Sequence, residues 1–182
     1  VKKLRRSEPL IKDRISYHKL RIINIEETEL YIESIISSEL ESSSDKIKGL
    51  SELIEETNDS FKSKSNQKRL KSLKKNPKVT PLELISPNGL KIQIGRNHRQ
   101  NEFISINQSR DGDLWFHAQE CPGSHVILKS SNGIAEEKDI QIAADLAALY
   151  SRAKGNKVVP IFLVQASKLK RVSGQFPGTV IH

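Results

Sequence analysis

A seven-residue spacing runs through Ile11, His18, Ile25 and Ile32, with Ile15, Ile22 and Ile36 interleaved. It predicts one long amphipathic helix over residues 7–42, with its apolar positions on a single coiled-coil seam. Ser7 is a candidate N-cap, with Pro9 in the first turn. His18 is a soft member of the seam, and Glu29 interrupts it. A stripe of this length needs a covering helix, so residues 7–42 are expected to self-associate where that partner is missing. Ser42, Ser43 and Ser44 break the pattern. Ser44 or Asp45 can cap a second, shorter helix that carries Ile47, Leu50 and Ile54 on one face. From about Thr57 to Lys78 the chain is rich in Ser, Lys and Asn and nearly free of apolar residues, which reads as a flexible linker.

Beyond the linker the period changes from helical to alternating. Leu82 to Ser86 and Leu90 to Ile94 flank Asn88-Gly89, a dipeptide that accepts the positive φ angles of a tight turn, and predict a hairpin. Leu90, Ile92 and Ile94 alternate with Lys91 and Gln93, so one face is buried and the other wet. Residues 97–109 read as a short helix. Leu114 to Gln119 and Val126 to Lys129 read as strands joined at Pro122-Gly123. Glu136 to Ala153 predicts a helix with a small-residue face (Ala143, Ala144, Ala147, Ala148), followed by Gly155 where a helix C-terminal glycine belongs. Lys157 to Gln165 is a last strand, with Pro160 marking an edge or bulge. The expected class is α+β: a small mixed sheet packed with one main helix, preceded by a helical arm. The divisions are 1–56 for the arm, 57–79 for the basic linker and 80–182 for the module.

Composition narrows the function. Of 182 residues, 36% are hydrophobic and 29% charged, enough for a modest core. No stretch approaches the roughly 20 consecutive apolar residues of a membrane span. One cysteine, Cys121, allows neither an internal disulfide nor a multi-cysteine zinc site, and a cytoplasmic location is expected. There is no methionine, so the chain is expected to be a piece of a longer protein, cut at both ends. The net charge of +8 is gathered into two acid-free stretches. One spans Lys62 to Lys78; the other follows Asp145 and holds Arg152, Lys154, Lys157, Lys168, Lys170 and Arg171. One-signed stretches of this kind suit a polyanionic partner, and equally suit a solvated surface.

Two clusters could carry chemistry. The first runs from Gly95 through Arg96, Asn97, His98 and Arg99 to Asn101, a strand ending in a basic turn that could receive a phosphate at a following helix; Asn97 could equally be an ordinary cap. The second is Asp113-Leu114-Trp115-Phe116-His117 with Pro122-Gly123-Ser124-His125. Alternation sends Asp113, Trp115 and His117 to one face and Leu114 and Phe116 to the other. If the second face is core, Trp115 is open to stack on an unpaired base; alternatively, Trp115 is itself core and the histidines brace the turn. Ser124, His125 and Asp113 superficially offer a nucleophile, a base and an orienting acid. Neighbouring residues on a strand point apart, however, and no glycine-rich elbow surrounds Ser124. No enzyme, metal or cofactor is expected.

Residues from about Pro81 to Ile181 resemble the C-terminal RNA-binding-type domain of the NFACT family, whose bacterial members were long labelled fibronectin-binding proteins. The matching blocks, in order, are Gly95-Arg96-Asn97 with Asn101, Asp113 to His117, Pro122 to Val126, the alanine helix ending in Tyr150-Ser151, and Pro177-Gly178. Residues 1–56 resemble the family's coiled-coil arm in outline. The resemblance implies a ribosome quality control factor. It would bind the large ribosomal subunit and tRNA on stalled chains and support untemplated tailing by the ribosome. It also implies a final strand after Pro177-Gly178, expected to be cut short at His182. The RNA-contacting residues would be Arg96, Asn97, Arg99, Trp115, His117, Ser124, His125, Lys168, Lys170 and Arg171. Two rivals stand beside this reading: a fibronectin-binding surface adhesin, and a protein–protein module contacting ribosomal proteins.

Overall fold

The computed structural model describes residues 2–37, 42–61, 79–172 and 177–181. Two helices come first, α1 (Lys2–Ser37) and α2 (Ser43–Phe61). The module then contains β1 (Leu82–Ile85), β2 (Lys91–Gly95), α3 (His98–Glu102), β3 (Leu114–Ala118), β4 (His125–Leu128), α4 (Glu137–Leu149), β5 (Ile161–Gln165), β6 (Lys170–Arg171) and β7 (Val180–Ile181). α3 runs directly into a π-helical turn, Phe103–Asn107. The class is α+β, as the residue pattern predicts.

Helix α1 begins at Lys2, so Ser7 and Pro9 lie inside it and Ser7 is not its cap. Proline's fixed φ is itself helical, and its cost there is one backbone hydrogen bond. α2 begins at Ser43, ahead of the expected caps, and continues to Phe61, so residues 57–61 are helical. The rest of the predicted linker, 62–78, lies outside the described residues. Tyr31, Ile35 and Leu53 form a small buried cluster between the helices, whereas Ile11, Ile15, Ile22, Ile25, Ile32 and Ile36 of the seam are exposed.

The five-stranded sheet has the order β1-β2-β4-β3-β5. Every pairing in it is antiparallel, so it is not the mixed sheet expected. The reason is the route of the chain. The crossover through α4 joins β4 to β5, which point the same way, but β3 lies between them and pairs antiparallel with both. The hairpin forms around Asn88-Gly89, as the pattern predicts. Ser86 and Leu90 are hydrogen-bonded across its mouth (2.8 Å), which leaves a three-residue loop, Pro87-Asn88-Gly89. Only Gly89 has positive φ, +84°, as a loop closed by one left-handed residue requires. At the far end, β7 does follow Pro177-Gly178, pairing Val180 and Ile181 with Arg171 and Lys170.

Both faces of the sheet are covered. On one side Ile92, Ile94, Phe116, Val126 and Leu128 pack against Ala143 and Ala147 of α4, whose small side chains let the helix sit close. On the other side Trp115 and Ile127 pack with Ile104 of the π-helical turn and with Ala166 and Leu169 beyond β5. The alternation read from the sequence is therefore right, and of the two readings it left open for Trp115 the core one holds. Phe103, Ile104 and Ile106, together with Ala166, Leu169 and Val180, supply a second apolar layer over it.

The hairpin is pinned to the start of α4. Asn88 donates from its backbone N–H (3.2 Å) and its side-chain amide (3.0 Å) to the fully buried carboxylate of Asp139, which also accepts from the N–H of Glu136 (3.0 Å). The Asn88 amide and the Ser86 hydroxyl hold the Asp139 carboxyl down to about 2. A carboxyl with a depressed folded pKa contributes stability above its unfolded value, and that contribution is lost as pH falls toward the folded value. Thermal melts of the wild type should therefore decline steeply between about pH 4 and pH 2. Asp139→Asn should lower the midpoint at pH 7 and flatten that acid limb; a limb of unchanged steepness would contradict the assignment.

Candidate nucleic-acid interface

The ten residues singled out by sequence fall into three groups. Asn97, Trp115 and His125 belong to the scaffold. Asn97 is the N-cap of α3, its side-chain oxygen accepting from the N–H of Gln100 at 2.8 Å. Trp115 is 2% exposed, so it is a core residue and not a stacking platform. His125 is 6% exposed. Its Nδ1 lies 2.8 Å from the Ser105 hydroxyl, and its backbone N–H donates to Asn101 Oδ1 at 3.1 Å. Trp115, His117 and His125 do meet, as the strand alternation and the turn predict. Trp115 lies parallel to His117 (5.6 Å), and His125 stands edge-on to both, at 5.1 and 5.3 Å. His117 is half-buried. The cluster braces β3 against β4.

The neighbouring acid is structural too. Asp113 is fully buried and is held by the Lys129 ammonium, the hydroxyl and N–H of Ser131 and the N–H of Arg110. Burial alone would raise its carboxyl; these donors outweigh it and leave the group below its usual range. Ser124, His125 and Asp113 thus do not assemble. The imidazole engages Ser105, and Asp113 is committed to Lys129.

The second group lies where the module meets the arm. Arg96 places its guanidinium over the ring of Tyr31, 5.3 Å from the centroid, a cation–π arrangement. Beside it, His98 Nδ1 is 2.9 Å from the Glu27 carboxylate in a pair almost closed to solvent. Arg152 and Lys154, just past α4, reach Glu29 (2.5 Å) and Glu33 (2.9 Å). Glu29, the acid that interrupts the apolar spacing of α1, thus faces a cation of the module. From α2, Glu52 accepts from Thr80 (2.8 Å) and Gln100 (2.9 Å). These partners were not legible in the sequence, because each pair joins residues 28 or more positions apart, and only Glu29 left a trace there.

The Pro122–Ser124 turn is fixed to the end of α4. Ser124 N–H donates to Tyr150 O (3.0 Å), and Arg152 N–H donates to Pro122 O (2.9 Å). A Cβ on Gly123 would lie 3.0 Å from Ser151 Cβ, so the turn sits tightly against the end of α4 and a larger residue would have to push Ser151 aside. The third group is exposed. Lys168 ends the 3-10 turn Ala166–Lys168 just before β6, Lys170 and Arg171 form β6, and Arg171 Nε is 3.2 Å from Glu102 of α3. Arg99 of α3 is half-buried.

Burial pushes the His125 imidazole well below its ordinary pKa, helped by His117 and His98 and opposed by Asn101. The unfolded chain takes up that proton near pH 6.5, whereas the folded chain takes it up only well below. Stability is therefore complete above about pH 6.5 and is lost as pH falls below it. Replacing His125 with Ala should cost about 1–3 kcal/mol, the usual penalty for stranding a buried partner. It should also reduce the loss of stability between pH 7 and 5. Phe116→Ala should cost more, about 3–5 kcal/mol. Chemical denaturation of both variants at pH 7 and pH 5 checks this ordering; an unchanged midpoint in His125→Ala would remove His125 from the scaffold.

Three comparisons place the chain. A family model described as NFACT protein RNA binding domain matches residues 81–180. The protein named Rqc2 homolog RqcH of Bacillus subtilis (strain 168) is 37% identical over 97 residues, covering 53% of this chain and 17% of that protein. The protein of the same name from Streptococcus suis is 35% identical over 91 residues, covering 50% and 16%. The chain thus spans about a sixth of the length of these curated relatives. The solved C-terminal structure of the fibronectin/fibrinogen-binding protein from Streptococcus suis superposes with a TM-score of 0.78 at 26% identity, covering 100% of this chain and 68% of that one. The matched region is more than half of the chain and holds β1 to β6, α3, α4 and the Pro122–Ser124 turn, so this chain belongs to the NFACT family through its RNA-binding domain.

Proposed function

We propose that this chain is the RNA-contacting end of a cytoplasmic ribosome quality control factor. In this reading it binds the large ribosomal subunit and tRNA on stalled nascent chains and supports untemplated tailing, while the ribosome performs the chemistry. The match of residues 81–180 to an RNA-binding domain family carries the reading. Its physical support is the distribution of charge: the cations at β6 stand exposed beside α3, while Trp115 and His125 are buried. Contact is therefore with phosphates, from Lys168, Lys170, Arg171 and Arg99, and base stacking on Trp115 has no part in it. Phosphate contacts position a protein on RNA without reading sequence. The exposed isoleucines of α1 would pair with a further helix of the arm or, in its absence, with a second copy.

A second reading has one observation in its favour, the printed description of the structural neighbour as a fibronectin/fibrinogen-binding protein. Direct comparison separates the two. At matched salt, the chain should bind ribosomal RNA and tRNA in preference to fibronectin. The slope of log affinity against log salt should be about −0.7 to −0.9 for each phosphate engaged. Replacing Lys168 and Lys170 together with Gln should weaken binding to every RNA alike and make that slope shallower by one to two such steps. Preferential, salt-insensitive binding to fibronectin would replace the RNA reading with the adhesin one.

A further inference from the structure

Between α1 and the module lies a groove of about 330 Å³, at the small end of the range of about 300–1,000 Å³ typical of ligand pockets. Tyr31 walls it on the arm side; Arg96, Ser124, Tyr150, Ser151 and Lys154 line it on the module side. Ser124 is 6% exposed. Its hydroxyl has no hydrogen-bond partner among the described residues, although its backbone is fixed by Tyr150. A nearly buried hydroxyl on a rigid turn, at the wall of a cavity that two cations also line, is a donor placed to meet an anion. The one acid in the wall, Glu27, is turned onto His98 at 2.9 Å. Lys154 is held from the rim by Glu33 at 2.9 Å, in a pair nearly half exposed to solvent, and such pairs are weak.

We propose that this groove is a phosphate subsite for a single RNA strand, in which Arg96, Lys154 and the Ser124 hydroxyl hold one backbone phosphate and the arm helix forms the second wall. The proposal rests on the RNA reading above and adds to it a specific seat. Arg96 is pre-set for the task by its stacking over Tyr31, which leaves a planar cation with little freedom to lose on binding. The Ser124 hydroxyl donates to a phosphate oxygen, and the Lys154 ammonium exchanges Glu33 for the phosphate. The arm therefore takes part in the RNA site, and occupation of the groove is linked to the seam between arm and module.

The test is binding of a fluorescent oligouridine RNA to the whole chain across a salt series, with thermal midpoints recorded for every variant. Arg96→Gln should make the slope of log affinity against log salt shallower by about 0.7, the share of one single-strand phosphate. Ser124→Leu fills the groove and removes the donor. It should weaken binding by about tenfold or more, the effect of losing a hydrogen bond to a charged group. Glu33→Gln releases Lys154 and should tighten binding, which a merely structural role for the seam would not produce. If Arg96→Gln lowers the thermal midpoint, the other two variants decide. Unchanged affinity in Ser124→Leu and Glu33→Gln, with Lys170→Gln still weakening binding, overturns the groove and leaves the RNA reading intact. Loss of effect in Lys170→Gln as well overturns both. AMP binding in the groove as tightly as the RNA overturns the strand assignment in favour of a free nucleotide.

Discussion

Strand β3 is dry on both faces, and most of the module follows from that. Phe116 looks toward α4 and Trp115 toward the π-helical turn, so each neighbouring element has an apolar surface to cover. Polar residues at the edges of such a strand cannot reach bulk water and must be satisfied inside the protein. Asp113 meets this demand with Lys129 and the loop amides around it. His125, on the paired strand, meets it with Ser105 and by staying neutral. The motif that looks most like a functional site in the sequence is therefore mostly the bracing of a double-sided core.

Under the proposed function, this burial moves recognition to the periphery of the module. With the indole and the His125 imidazole enclosed, what the proposed function leaves for a polyanion is the surface charge at β6 and the seam between module and arm. The seam is held by contacts of unequal worth. Arg152–Glu29 and Lys154–Glu33 are open to solvent and screened by salt. His98–Glu27 is enclosed, and Arg96 is stacked on Tyr31. The enclosed pair and the stacked cation set the geometry, and the exposed pairs are the ones that the proposed phosphate would have to displace.

The local patterns were readable because they depend on neighbours in sequence. Seven-residue spacing marks α1, two-residue alternation marks β2 and β3, the alanine face marks α4, and Asn97 caps α3 as its position before that helix suggests. The blocks shared with the NFACT family fall on the same elements. Alternation even assigned Phe116 and Trp115 to opposite faces, and the tight turn brought His125 beside His117.

The decisions the sequence left open all involve surfaces that meet across long separations. Whether the Trp115 face is wet depends on Ile104, Ala166 and Leu169 closing over it, and no periodicity within β3 encodes that. The strand order depends on β3 entering between β4 and β5, which a helix between two strands does not reveal. Glu29, read as a flaw in an apolar seam, finds its reason in Arg152, 123 residues away. Short-range propensity determined the elements of this chain, and long-range packing decided which of their polar residues became scaffold and which remain available to a ligand.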